Sequence, residues 1–149
     1  DEYEEGTSAA LKDPEGKEIK LRVALWMSYH SIESRGLTFP YKSKSPTLKK
    51  QVTYDEAELW REIDRILQED VDNKFTHGQQ LYYNLLHCAD SAYFIDSEAN
   101  IYLEEFMLNK RFNIPLAKSI DEAEFERMSL FRAIDEEYNA CIENGKVHN

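Results

Sequence analysis

The chain has 149 residues, of which 42% are hydrophobic and 32% charged, and its formal net charge is −11. That length suits one domain able to enclose its own core, and that balance excludes a disordered or fibrous polypeptide. Charges interrupt every apolar stretch well before the ~18 residues of a membrane helix, and no basic segment precedes an apolar run in the manner of a secretory signal, so no membrane association is expected.

The charge is blocked rather than mixed. Residues 1–18 carry −5, residues 19–52 carry +6 and residues 53–73 carry −6. The acidic stretch 1–17 has few apolar residues and is expected to be a mobile tail. From Ile19 to Met27 the pattern is ambiguous. Its first half alternates apolar and charged residues as a strand does, yet the run continues without a breaker towards Arg35-Gly36, which favours a helix over about 18–34. Residues 36–52 hold Pro40, Pro46 and four lysines. They are expected to form an irregular connector, because proline lacks an amide donor and restrains its neighbour.

Thr53-Tyr54-Asp55-Glu56 has the form of a capping box, with Thr53 as N-cap. Leu59, Ile63, Ile66, Leu67 and Val71 then recur at helical spacing, and Asp72-Asn73 closes the segment. Thr76-His77-Gly78-Gln79 repeats the capping pattern. It predicts a helix to about Phe94, central to the domain, with Leu81, Leu85, Cys88 and Ala92 on its buried stripe. Asp96-Ser97-Glu98 opens the next, which carries Ile101, Tyr102, Leu103, Phe106 and Met107 and stops by Asn113 ahead of Pro115. Ser119-Ile120-Asp121-Glu122 starts a last helix to Asn144, with Gly145 at C′ and residues 146–149 as a tail. Its inner face is expected to hold Phe125, Met128, Phe131, Ile134, Tyr138 and Cys141.

The chemistry-bearing candidates are few. His87 and Asp90 stand three apart beside Cys88, a spacing that puts carboxylate and imidazole on one helical face and could orient the ring as a base. No nucleophile or metal partner is specified with them, so a structural role competes with the catalytic one. Metal motifs fail: there is no HExxH, and the calcium-loop start at Asp70 lacks glycine at its sixth position, which is Phe75. The five glycines form no phosphate cradle. Cys88 and Cys141 are not a CxxC pair and read as reduced thiols of a reducing compartment, although one disulfide between them stays open.

Two charged surfaces remain. Lys42, Lys44, Lys49 and Lys50 interleave with hydroxyls and could contact an anion, or the acidic helix next in sequence. Glu56, Glu58, Glu62, Asp64, Glu69, Asp70 and Asp72 lie off the apolar stripe of that helix, with Trp60 at its edge. Trp26 likewise sits beside charged positions.

These features imply a mainly α, single-domain bundle of four to five helices. The expected function is non-catalytic protein–protein interaction, as a regulator, inhibitor, adaptor or assembly component. The expected contact residues are Glu58, Glu62, Asp64, Glu69 and Trp60, set against a protein partner with a basic surface. The alternatives are a small enzyme with a pocket near His87, Cys88 and Asp90, and weak nucleic-acid contact through the lysines. No cofactor or metal is expected, nucleic acid is disfavoured by net charge, and the expected location is the cytoplasm or another reducing compartment.

Overall fold

A computed structural model of the chain describes residues 14–69, 74–113 and 122–148. In chain order the elements are α1 (Pro14–Tyr29), β1 (Tyr41–Lys44), β2 (Gln51–Tyr54), α2 (Glu56–Gln68), α3 (His77–Leu85), α4 (Ser91–Phe94), α5 (Ser97–Phe112) and α6 (Glu122–His148). The chain is mainly helical, as its periodicity implies, with one two-stranded sheet among the described residues.

The segment at 19–27 is helical. Val23, Ala24, Leu25, Trp26 and Met27 are all buried, and five consecutive buried residues require neighbours on every side of a helix. α1 has them: it packs most extensively against α6 and α3, and also touches α4 and α5. The central helix is therefore α1, not the segment after Thr76. α1 starts at Pro14, inside the stretch expected to be a tail, and Lys17 reaches Glu126 at 3.4 Å. Proline suits this position because the first turn has no use for its missing donor. α1 ends at Tyr29, several residues before Gly36. Residues 1–13 of the expected tail lie outside the described residues.

The connector is a hairpin. β1 and β2 pair antiparallel, with Tyr41 opposite Tyr54 and Lys44 opposite Gln51. Pro46 causes no conflict because it falls in the turn, where Ser45 N–H donates to the Lys50 carbonyl and Lys49 adopts a left-handed φ of 60°. The inward face carries Tyr41, Ser43 and Tyr54, and the lysines take the outward side. Thr53 is consequently extended, and the N-cap of α2 is Asp55, whose side chain accepts from Glu58 N–H.

The helix expected from Thr76 to Phe94 is two. Thr76 caps α3 as expected, but the helix stops at Leu85. Tyr41 Oη donates to the Cys88 carbonyl at 2.6 Å and Ser43 Oγ to the His87 carbonyl at 3.1 Å. Asp90 then caps α4 by accepting from Ala92 N–H. The hairpin thus satisfies the carbonyls at the break, and the break turns Ala92 out to solvent. Asp96 caps α5, and a left-handed Asn113 closes it. α6 runs through Gly145 to His148 rather than ending at Asn144. The expected capping box at 119–122 and the stop at Asp72-Asn73 fall wholly or mainly outside the described residues.

Candidate functional site

Among the described residues three carboxylates are buried, and each is filled with donors. Glu137, on α6, is fully buried. It accepts from Arg22 Nη1 at 2.6 Å, Trp26 Nε1 at 2.7 Å, Gly78 N–H at 3.0 Å and the Thr76 hydroxyl. It therefore joins α1, the start of α3 and α6 at one point, and it gives the Trp26 indole the partner a buried tryptophan needs. Gly78 is required there, because a Cβ at that position would lie 2.5 Å from the Glu137 carboxylate.

Glu62, on α2, is also fully buried. Ser45 Oγ donates at 2.5 Å, Tyr54 Oη at 2.7 Å and Arg65 Nη2 at 3.0 Å, and Thr47 adds its hydroxyl. Burial pushes this carboxyl upward, but the hydrogen bonds from Ser45, Thr47, Tyr54 and Arg65 outweigh it and hold the group below its ordinary value. Glu62 latches the hairpin turn onto α2.

Asp90 accepts from Ala92 N–H, Ser34 Oγ, Leu37 N–H and Arg35 N–H. Burial again raises the carboxyl and these bonds more than reverse it, leaving it below its usual value. Asp90 therefore pins residues 34–37 to the start of α4.

This geometry separates His87, Cys88 and Asp90. His87 is exposed while Asp90 faces the 34–37 loop. The Cys88 thiol, buried beside Glu62, is pushed up to about 12, so it is protonated at neutral pH and a poor nucleophile. Burial does the same to Cys141, also to about 12. Both cysteines are free. Among the described residues, no group of three or more His, Cys, Asp and Glu could hold a metal ion, and no helix is long and apolar enough to cross a membrane.

The expected acidic face of α2 is largely consumed within the molecule. Glu62 is internal, so it cannot meet a partner. Trp60 is buried as well, donating Nε1 to Tyr93 Oη at 2.8 Å, and Tyr93 Oη donates on to Glu56 at 2.7 Å. Glu58 pairs with Arg61 and Arg65, both at 2.9 Å. The helix needs no scattered lysines because its two arginines turn back onto its own acids. Asp64 and Glu69 stay exposed. Asp70 and Asp72 lie outside the described residues.

The hairpin lysines behave differently. Lys42, Lys44, Lys49 and Lys50 are exposed, and none forms an ion pair among the described residues, whereas Lys20, Arg22 and Lys110 each hold an acid within 2.7 Å. The hairpin meets α2 through Ser45 and Thr47, so the expected attraction between its lysines and that helix is not what joins them.

A surface the sequence pattern did not single out lies on α5. Its inner side buries Ala99, Leu103 and Phe106. Its outer side carries Ile101, Leu108 and Phe112, which are 63%, 50% and 61% exposed. Spacings of seven and four residues put these three in one row. Ile101 and Met107 are thus not core residues, and Phe125, assigned to the inner face of the last helix, is also exposed. Leu108 and Phe112 were the available signal, since they stand opposite Leu103 and Phe106 on the helical wheel.

Comparison of the chain with family models, with curated proteins and with solved structures gives no match. Chemistry and geometry therefore carry the functional reading alone.

Proposed function

We propose that this chain is a non-catalytic protein-interaction domain that docks through the outer side of α5. The observation that carries this reading is the exposed row Ile101, Leu108 and Phe112. A helix with apolar residues on two opposite sides is arranged for two neighbours, and the described residues supply one. The saturation of Glu62, Glu137 and Asp90 by internal donors favours the same reading over an enzyme, because a general base needs a free lone pair within reach of substrate. Regulator, inhibitor, adaptor and assembly component all remain uses of such a surface.

Leu108→Glu tests this. The side chain is half-exposed, so helical circular dichroism should persist and stability should shift by no more than ~0.5 kcal/mol. Proteins retained from a source lysate by the immobilised wild-type chain should be lost by the variant in quantitative mass spectrometry. Equal retention by both chains would retire the reading.

A second use rests on the four hairpin lysines, which form no ion pair among the described residues and make a cationic surface suited to phosphates. A labelled single-stranded oligonucleotide should then bind at low salt, weaken steeply as salt rises, and lose affinity with Lys42→Glu and Lys44→Glu together. Absence of binding at low salt would remove this use.

A further inference from the structure

The outer row of α5 has a chemistry that fits one partner in particular. Acidic and basic residues segregate along this helix: Glu98, Glu104 and Glu105 precede Lys110 and Arg111. Three of these charges are paired within the molecule, Glu98 with Lys17 at 3.9 Å, Lys110 with Asp135 at 2.7 Å and Glu105 with Arg127 of α6. Glu104 forms no ion pair among the described residues, and Arg111 is engaged there only by the ring face of Phe112, at 5.5 Å. Glu104 and Arg111 stand seven residues apart, so they flank the apolar row on the same side.

That arrangement is self-complementary in one direction only. Set parallel, two copies of α5 would be related by an axis along the helices, which puts Glu104 of one copy on the side of Glu98 and Glu105 of the other, acid against acid. Set antiparallel about a two-fold axis, Ile101 of one copy meets Phe112 of the other. Leu108 meets the aliphatic stem of Glu105, whose carboxylate is already held by Arg127. In the same register Glu104 faces Arg111 of the second copy, and the symmetry makes this pair twice. One surface thus supplies apolar rows that match end to end and charges that match side to side.

Building on the interaction reading of α5, we propose that the occupant of this surface is a second copy of the chain, packed antiparallel along α5 with reciprocal Glu104–Arg111 pairs. Sixteen residues at ~1.5 Å rise limit the shared contact to about 24 Å of helix. An interface of that size sits at the small end of specific contacts, so the dimer is weak and reversible.

Sedimentation velocity on the full chain over roughly 1–500 µM, at low salt, covers the range for such a contact. The sedimentation coefficient should rise with concentration towards that of a dimer, and Leu108→Glu should abolish the rise. Glu104→Arg and Arg111→Glu, each placing like charges together twice, should weaken dimerisation by about tenfold or more, and the double variant should recover to within about threefold of wild type. All these positions are exposed, and circular dichroism is the check that each variant is folded. A chain monomeric throughout overturns the proposal, as does a dimer indifferent to the substitutions or a double variant no better than the singles. Should the chain be monomeric while Leu108→Glu still loses captured proteins, self-pairing falls and the interaction reading stands. If capture is also indifferent to Leu108, both fall.

Discussion

Glu137→Ala should lower the free energy of unfolding by about 3–5 kcal/mol, because it removes one side of a buried charged network and strands the rest. The Arg22 guanidinium, the Trp26 indole N–H, the Gly78 amide and the Thr76 hydroxyl would all lose their common acceptor. Urea denaturation would report it as a fall in midpoint at unchanged slope. Gly78→Ala attacks the same point from the other side. Its new methyl group would sit 2.5 Å from the carboxylate, and overpacking of that kind costs about 1–3 kcal/mol. The two substitutions should not add. Once the carboxylate is gone the methyl group has room, so Gly78→Ala in the Glu137→Ala chain should be close to neutral, a coupling of at least ~1 kcal/mol. Additive losses would show that Glu137 and Gly78 do not share the site.

Glu62 should leave its mark in the acid range. The folded chain holds the carboxyls of Glu62, Asp90 and Asp96 below their ordinary values of 4.5, 3.8 and 3.8. For Asp96, burial raises the group and the bond from Lys20 leads those that bring it down. A carboxyl depressed by folding contributes its full stability above the unfolded value and loses it as pH falls through the folded one. Stability should therefore fall on acidification below about pH 4.5. Glu62→Gln imitates the protonated group and leaves Arg65 without its buried anion. At pH 7 it should be less stable by about 1–3 kcal/mol. The gap to wild type should narrow steadily below pH 4.5, because wild type is acquiring the same neutral group. Thermal melts of both chains in steps of pH would show this. Two acid limbs running in parallel would mean that Glu62 contributes nothing to them.

The helices were legible because their buried stripes follow a 3.6-residue period, as at Leu59, Ile63 and Ile66. What the pattern could not show is where long-range contacts override it. The Thr76–Phe94 run is apolar on one side throughout, yet it breaks at residues 86–90, because Tyr41 and Ser43 from a distant hairpin take its carbonyls. The hairpin escaped notice because its strands are four residues each, too short to show a period, and the first, Tyr41–Lys44, holds two lysines and a serine rather than β-branched residues. At the start of α2 two capping boxes overlap, Thr53 with Glu56 and Asp55 with Glu58. Strand pairing of Tyr54 with Tyr41 decides for the second.

The site was less legible still. Glu62 and Asp64 differ in nothing that sequence displays, yet one is wholly buried and the other exposed. Only the arrival of Ser45, Thr47 and Tyr54 distinguishes them. Glu137 likewise sits in an acidic triplet whose other members, Asp135 and Glu136, keep much of their side chains in solvent.

The most extensive helix contact in the molecule joins α1 to α6, with more than a hundred residues of chain between Arg22 and Glu137. A polypeptide is made from its N-terminus, so α1 leaves the ribosome before α3 to α6, with its apolar run from Val23 to Met27 not yet covered by them. α3, α4 and α5 can cover parts of it in turn, but the carboxylate that Arg22 and Trp26 require arrives only with the last helix. The core of this domain therefore closes late in synthesis, and any nascent chain stalled before residue 122 exposes a sticky helix for as long as it is stalled.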